Sequence, residues 1–262
     1  GVDLALVDST GAGTPGRTLP EADVVDNLAE AMSAVSGLAV ITSFGSHVER
    51  IVACVHAARK VGRRVGIYGR SMQSTFKEAA DLGLVPLKNG DVVDVEALMA
   101  GPRNEGVLVV TGTQGEWRAP LARIARAEDP RVRLGPGDWV GWSARVIPGN
   151  ERAVGLVVDR LVRLGVDVQP PWGGGPKLHT SGHGARDELT QWVRAVGPRY
   201  VLPVHGQQWH LWRHRDLLAE AGLRQEQVLQ AESGQTLTLG PESGEVEVRD
   251  PIAAPEAVFV DG

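Results

Sequence analysis

Short apolar runs alternate with amphipathic helical stretches along most of this sequence. Residues 4–7 and 38–43 have the composition of buried strands, whereas residues 48–58 repeat apolar side chains at helical spacing. The strand pattern recurs at 65–68, 107–111, 139–143 and 200–204, each time before a polar turn and a helical run. Because a helix is the usual crossover between parallel strands, this alternation predicts an α/β fold with a largely parallel sheet.

The start of the first helix carries a recognisable local signal. Thr18 and Glu21 have the spacing of a capping box and precede apolar residues at helical intervals. Gly37 follows the last of these and is typical of the end of a helix. The sequence therefore predicts a helix between the strands at 4–7 and 38–43, with Thr18 as its cap.

The composition is that of a folded chain that needs no cross-links. It has 262 residues, of which 42% are hydrophobic, and a single cysteine, which excludes intrinsic disorder and a disulfide scaffold. Cys54 lies within an apolar helical pattern, so we expect a small buried side chain without a redox role. The apolar runs are far shorter than the ~20 residues that cross a bilayer, and we expect a cytoplasmic protein with no membrane contact.

The formal net charge is −5, and the acidic excess lies after residue 240. The preceding residues are close to neutral, which argues against binding nucleic acid through one broad basic face but is compatible with a local arginine-lined groove. Residues 236–239 and 246–248 alternate apolar and polar side chains between Gly and Pro, which predicts short edge strands.

Polar turns follow the apolar runs. They are Asp8-Ser9-Thr10, residues 43–47, Gly69-Arg70-Ser71, residues 111–116, Ser143-Ala144-Arg145, Ser181-Gly182-His183 and His205. We expect each at the carboxyl end of a strand, which is the edge where open α/β sheets bind ligands. Small residues there allow backbone amides to approach an anion such as phosphate. The set predicts an anion-binding edge.

Two nucleotide-binding motifs are excluded. Residues 11–16 spell G-x-G-x-x-G, but Pro15 would disrupt the turn into a helix and no acidic residue ends the next strand, so dinucleotide binding is rejected. Residues 62–70 lack the Gly-Lys-Ser/Thr ending of a phosphate-binding loop.

The histidines differ in their surroundings. His183 and His205 stand beside glycine at predicted strand ends, where a ring nitrogen can reach into a cleft, and they are the functional candidates. The pairing of His179 with His183 is taken as incidental. His210 and His214 share a helix face, for which a packing or solvated role is preferred to metal ligation.

The ordered turns resemble the ribonuclease J family, in the β-CASP branch of the metallo-β-lactamase superfamily. The matching stretches are Val7-Asp8-Ser9-Thr10, Ser43-Phe44-Gly45-Ser46 with Arg50, Gly69-Arg70-Ser71-Met72, Thr111-Gly112-Thr113-Gln114-Gly115-Glu116, Ser143-Ala144-Arg145 with Ile147-Pro148-Gly149-Asn150-Glu151, Ser181-Gly182-His183-Gly184 and Pro203-Val204-His205-Gly206. The resemblance implies an αββα metallo-β-lactamase-like body, present in part at residues 1–25 and 166–245. It places an inserted β-CASP α/β domain at 26–165 and a linker toward a C-terminal domain at 246–262.

The resemblance also implies roles for individual residues. Asp8 would orient His183, which would act as a phosphate contact or leaving-group acid, and His205 would be a metal ligand. Contacts with RNA and its 5′-phosphate would come from the polar turns. Those residues are Ser43, Ser46, Arg70, Ser71, Thr113, Gln114, Ser143, Arg145 and Ser181.

The function that this likeness implies is RNA processing and decay. The parent would be a metal-dependent 5′-to-3′ exonuclease on single-stranded RNA with a 5′-monophosphate and some endonuclease action, with two zinc ions, or manganese or magnesium, as cofactors and a homodimer as its assembly. The alternatives are a non-catalytic RNA-binding or regulatory module and a β-CASP nuclease acting on DNA. Competition between matched RNA and DNA strands separates the last of these.

The sequence departs from the family pattern in the metal site. The zinc-binding run H-x-H-x-D-H is absent from it, and only His205 of the expected ligand set is present. We therefore expect this chain to lack an N-terminal half, to expose apolar surface that such a half would cover, and to cleave no RNA by itself. His47, Glu49 and Gln207 also differ from the usual residues, and Gln207 removes a charge beside the His205-Gly206 pair.

Overall fold

The computed structural model describes residues 1–85, 88, 90–240 and 243–250. They form two compact units. The small unit comprises residues 1–18 and those described from 181 onward, and the large unit comprises residues 19–180.

The elements follow the predicted alternation of strand and helix. In chain order they are β1 (Leu4–Asp8), α1 (Glu21–Ser33), β2 (Ala39–Thr42), α2 (Val48–Lys60), β3 (Arg64–Tyr68), α3 (Arg70–Asp81), β4 (Val92–Val93), α4 (Val95–Ala100), β5 (Gly106–Val110), α5 (Pro120–Ala125), β6 (Trp139–Trp142), α6 (Glu151–Arg163), β7 (Asp167–Gln169), α7 (Arg186–Val196), β8 (Tyr200–Val204), α8 (Gln208–Ala221), β9 (Thr236–Leu239) and β10 (Val246–Arg249). Short 3₁₀ turns lie at Arg103–Glu105 and Gln225–Gln227.

The large unit is built on a six-stranded parallel sheet in the spatial order β4-β3-β5-β2-β6-β7. Alternate residues of its central strands face opposite sides, so Ala39 and Ile41 belong to one buried cluster and Val40 to the other. Helices α1, α2 and α3 cover the first side, and α4, α5 and α6 cover the second. Burial on both faces explains why these strands are continuously apolar, and the predicted α/β class is confirmed.

Four of the predicted polar turns follow strands of this sheet. They come after β2, β3, β5 and β6, which are hydrogen-bonded neighbours. Parallel strands present their carboxyl ends at one edge, so the four turns share that edge of the large unit.

The small unit contains the parallel pair β1 and β8, the helices α7 and α8, and the antiparallel pair β9 and β10. Ala5 and Val7 of β1 pack with Leu189, Val193 and other residues of the helices. Leu6 points the other way and is 61% exposed. The predicted edge strands after residue 223 are confirmed as β9 and β10.

Three sequence expectations differ from the structure. Thr18 does not cap α1, whose preceding residue is Pro20, because its amide and hydroxyl donate to Glu188 instead. Residues 181–183 do not end a strand, since the nearest preceding strand, β7, ends at Gln169. The linker expected at 246–262 begins with β10, and residues 251–262 lie outside the described part of the chain.

The large unit is longer at both ends than the β-CASP domain expected from the sequence. Helix α1 and strand β7 belong to the large unit, which extends from residue 19 to 180 rather than from 26 to 165. The assignment of family domains to these segments stays a prediction. None of the helices in the described residues is long and apolar enough to cross a bilayer.

Candidate active site

Asp8 and His205 meet because β1 and β8 are paired in register. Asp8 lies opposite Val204 in the parallel ladder, so His205 comes directly after the same end of the sheet. His205 has a φ of +55°, which is rare for a residue with a side chain. The Thr10 hydroxyl donates to the His205 carbonyl over 2.9 Å, which helps to hold this turn. Backbone strain of this kind is concentrated at functional sites.

His183 joins this pair from the turn before α7. Its Nδ1 forms a short hydrogen bond with the Asp8 carboxylate, and its backbone N–H donates to the Ser181 hydroxyl over 3.1 Å. The His183 and His205 rings are stacked, with 5.4 Å between their centroids. The structure thus brings together the three residues predicted as catalytic or metal-binding.

The Asp8 carboxylate is held in its ionised form. Partial burial alone would raise its pKa, but the hydrogen bonds from Thr10 and His183 outweigh this and keep the pKa of Asp8 below its usual value. An ionised carboxylate can only accept, so the His183 Nδ1 must be the protonated ring nitrogen. Asp8 therefore fixes both the orientation and the tautomer of His183.

The same three side chains have the donor chemistry of a metal site. One ligand atom from each of Asp8, His183 and His205 lies within 4.8 Å of the others. Carboxylate and imidazole donors suit zinc and related transition metals, and three protein ligands with an open position are typical of catalytic zinc. This set suits one ion. The described residues contain no second cluster of at least three such donors.

A buried pair, Ser9 and His214, supports the turn that carries Asp8, and the helical position of His214 was its only signal in the sequence. The Ser9 hydroxyl lies 2.9 Å from the Nδ1 of His214 on α8, and both residues are fully buried. Burial lowers the pKa of His214 to about 4, so its ring is neutral near pH 7. His214 is therefore a packing residue of the small unit.

The phosphate-binding residues predicted in the large unit differ in exposure. Ser46, Arg70, Ser71 and Arg145 are exposed at the ends of their turns. The other four side chains are buried, namely Ser43, Thr113, Gln114 and Ser143. Of these eight residues, only the four exposed ones can contact a ligand directly in this structure. Ser181 of the small unit is half-buried, and its hydroxyl is the acceptor for His183.

Gln114 and Ser143 are engaged in internal hydrogen bonds. The Gln114 amide donates to the Arg145 carbonyl over 2.9 Å and accepts from the Ile147 amide over 2.8 Å. The Ser143 hydroxyl donates to the carbonyl of Leu178 over 2.5 Å. These side chains shape the turns, and their contact with RNA stays a prediction.

A buried arginine stabilises the same edge, although it was not among the predicted site residues. Arg50 on α2 has no exposed surface and donates to the Glu21 carboxylate over 2.7 Å and to the Ser143 hydroxyl over 2.7 Å. It also reaches the Leu178 carbonyl, 3.2 Å away, and the Nδ1 of His179, 3.1 Å away. The signal in the sequence was a charged residue on the apolar face of a helix.

Comparison with known proteins matches two family models. "Ribonuclease J, beta-CASP domain" matches residues 36–161, and "Zn-dependent metallo-hydrolase RNA specificity domain" matches residues 177–228. Curated relatives named ribonuclease J align along the whole chain. The chain belongs to the ribonuclease J family. The resemblance expected from the ordered turns is confirmed.

Three members of the ribonuclease J family illustrate the extent of the match. The proteins of Mycobacterium tuberculosis H37Rv and Mycolicibacterium smegmatis are each 36% identical over 100% of this chain and 46% of their own length. The Synechocystis protein is 33% identical over 91% of this chain and 37% of its own. The chain thus spans less than half the length of these relatives.

Proposed function

We propose that this chain forms part of a metal-dependent ribonuclease that acts in RNA processing and decay. The observation that carries the proposal is the cluster of Asp8, His183 and His205 at one end of the β1 and β8 pair. The names of its relatives and of the family model over residues 177–228 agree with an RNA substrate and a zinc-dependent hydrolysis. A cytoplasmic location, expected from the sequence, is part of this proposal.

Asp8 and His183 would work as an oriented acid. The carboxylate holds the Nδ1–H, which leaves Nε2 of His183 as the ring nitrogen that can face a phosphate. In the doubly protonated ring, the Nε2–H can donate to a phosphoryl oxygen or give its proton to the leaving oxygen, a role worth about 10²- to 10⁴-fold in rate.

His205 and the Asp8 carboxylate would hold a metal ion, and Nε2 of His183 would be a third ligand only where it does not face the phosphate. A bound ion would supply an activated water and would stabilise negative charge on the phosphoryl oxygens. Two ions need more ligands than these three, so we expect the two-zinc site to require residues outside the described part, and this chain alone to be inactive. Whether zinc, manganese or magnesium is preferred is decided by metal analysis.

The exposed polar turns of the large unit would bind the RNA backbone. The Arg70 side chain has no hydrogen-bond or ion-pair partner among the described residues, and Arg70, Ser71 and Ser46 are all exposed. We propose that this edge favours a 5′-monophosphate, and with it 5′-to-3′ exonuclease action over endonuclease cleavage, because a terminal phosphate carries more charge than an internal one.

The test of the catalytic assignment is decay of a 5′-monophosphorylated RNA with zinc and manganese, by this chain and by the natural full-length protein. In the full-length protein, His183→Ala should lower turnover about 10²- to 10⁴-fold with RNA binding retained, and His205→Ala should lower bound zinc. Asp187→Asn, at an exposed carboxylate of α7, is the control. Unchanged turnover in His183→Ala would remove this residue from the mechanism.

The same assay decides between the alternatives. Cleavage by this chain alone would contradict its expected inactivity. Binding without cleavage by either protein would favour the non-catalytic RNA-binding module, and equal competition by matched DNA would remove the preference for RNA. Sedimentation of the full-length protein tests the expected homodimer.

The 5′-end preference has its own variant. Arg70→Gln should weaken binding of 5′-phosphorylated RNA more than that of 5′-hydroxyl RNA. Equal weakening of both would make Arg70 a general backbone contact.

A further inference from the structure

Trp117 is a large aromatic side chain held on the surface of the large unit. It lies in the turn between β5 and α5 and is 61% exposed. Hydrogen bonds fix this turn. The backbone N–H of Gln114 donates to the Glu116 carboxylate over 3.0 Å, and the backbone N–H of Ala119 donates to the Glu116 carbonyl over 2.9 Å. An apolar ring in a fixed turn is available for a partner without further ordering.

Arg126 stacks against the indole ring of Trp117. The guanidinium carbon of Arg126 lies 3.7 Å from the centroid of the Trp117 ring, and its Nη1 donates to the Trp117 carbonyl over 3.1 Å. The Arg126 side chain is only 8% exposed and pairs with Glu128 over 2.6 Å. The Arg126 guanidinium thus packs against the indole, and 61% of Trp117 remains exposed as an aromatic surface for stacking.

The surroundings of this ring are cationic. The guanidinium carbon of Arg160 on α6 lies 5.4 Å from the same centroid. The next residue, Arg118, is exposed and lines a cavity of about 470 Å³ together with Arg70, Arg123 and Arg131. None of the described residues that line this cavity carries a carboxylate.

Two of the four arginines are available for an anion. Arg123 is paired with Asp129 over 2.8 Å, and Arg131 with Glu96 over 3.4 Å. The side chains of Arg70 and Arg118 have no hydrogen bond or ion pair among the residues that the structure describes. The cavity therefore retains unneutralised positive charge, part of it on Arg118, the residue that follows Trp117 in the chain.

We infer that Trp117 stacks on a base of single-stranded RNA while Arg118 contacts the adjoining phosphate in the cavity. The inference rests on the proposed function and adds a binding subsite to it. Aromatic rings and arginines together are the usual means of holding single-stranded nucleic acid, since every base has a face to stack and every linkage has a charge. An apolar protein partner would find cations around the ring instead of an apolar rim.

The test is binding of a 5′-hydroxyl oligoadenylate to this chain in the presence of EDTA. Fluorescence anisotropy measures the affinity at several salt concentrations. The 5′-hydroxyl end separates the measurement from recognition of a terminal phosphate, and EDTA prevents cleavage. Trp117→Ala should weaken binding about 5- to 100-fold, Trp117→Phe should restore most of it, and Arg118→Gln should lower the salt dependence by about one phosphate contact.

Matched controls are available in the same unit. Trp172→Ala removes another tryptophan, 58% exposed, and Arg163→Gln removes another exposed arginine at the end of α6. Neither should change the affinity by more than about twofold. Equal affinity of the Trp117→Ala variant and the parent chain would overturn the inference alone. Absence of RNA binding by the parent chain would overturn the proposed function as well. Should Trp117→Ala lower the stability, Arg118→Gln carries the test, because that side chain has no described partner.

Discussion

Arg50 is a charged side chain with no exposed surface, and it connects α1, α2 and the turn after β6. Burial of an ion is costly unless each of its donors finds a partner, and here carboxylate, hydroxyl, carbonyl and imidazole acceptors surround it. The arginine therefore stabilises a fixed arrangement of the turn that contains Ser143.

Replacing Arg50 should be among the most destabilising single changes in the large unit. Arg50→Met keeps the length of the side chain but leaves Glu21 and two buried acceptors without their donor, so the free energy of unfolding should fall by roughly 3–5 kcal/mol. Urea denaturation measures it. Arg163→Met, on the exposed end of α6, should stay within about 0.5 kcal/mol. A loss in Arg50→Met no larger than that of Arg163→Met would mean that the network contributes no stability.

Gly11 shows how closely the Asp8 turn approaches the His183 turn. A Cβ at this position would lie 1.9 Å from the carbonyl oxygen of Gly184. The added Cβ is attached to the backbone and the carbonyl oxygen belongs to it, so neither can rotate away. One of the two turns therefore has to move when Gly11 is replaced.

Gly11→Ala should therefore disturb the catalytic pair while both of its side chains remain present. We expect full-length protein with this change to lose turnover by roughly 10²-fold, as a displacement of about 1 Å does, with its RNA affinity retained. Steady-state kinetics on 5′-monophosphorylated RNA measure this. Gly182→Ala, where a Cβ would meet nothing within 4 Å, is the control. Equal turnover of the two variants would contradict the close packing.

At the level of elements, strands were predictable and turns were less so. β2 and β5 are buried on both faces, so a continuous apolar run identified them directly. The capping box predicted from Thr18 and Glu21 does not form, because each side chain has a partner distant in sequence. Thr18 bonds to Glu188, and Glu21 bonds to Arg50. Spacing along a chain cannot reveal such partners.

The site shows the same limit. Asp8, His183 and His205 could be named from their turns, and the structure brings them together. Asp8 and His205 meet because the parallel strands β1 and β8 end at the same edge. The pairing of Ser9 with His214 could not be predicted from the sequence, since these residues are 205 positions apart. His183 itself lies after no strand, and its position depends on the turn that enters α7.

Helix α6 contains a glycine that packing does not require. A Cβ on Gly155 would meet nothing within 4 Å, and glycine inside a helix costs roughly 0.5–1 kcal/mol relative to alanine. Gly155→Ala should therefore raise the free energy of unfolding by about that amount, measured by urea denaturation. A decrease would show that α6 has a close neighbour at this position.

For the whole molecule, two histidines, the half-buried His179 and the buried His214, make stability depend on pH. Burial, with the nearby Arg50 charge, lowers the pKa of His179 to about 4, and burial lowers that of His214 to about 4. Both are neutral when folded, whereas in the unfolded chain each takes up a proton below about pH 6.5. The unfolded state thus binds more protons between about pH 6.5 and 4, and unfolding becomes easier as the pH falls through that window.

The thermal midpoint should therefore fall between pH 6.5 and 5, before the carboxylates titrate. His179→Gln should flatten this dependence, because an amide can still accept from Arg50 but takes up no proton. Differential scanning calorimetry of both proteins from pH 7.5 to 4.5 measures it. A variant with the same pH profile as the parent would show that His179 is not the group responsible.

Cys54 has a practical consequence for experiments on this chain. Its side chain is fully buried, and burial raises the pKa of its thiol to about 12, so almost no thiolate forms near neutral pH. The sequence holds no other cysteine. A cysteine introduced at an exposed position can therefore take a maleimide dye at a single site, which opens each unit to single-molecule fluorescence without removing the natural residue.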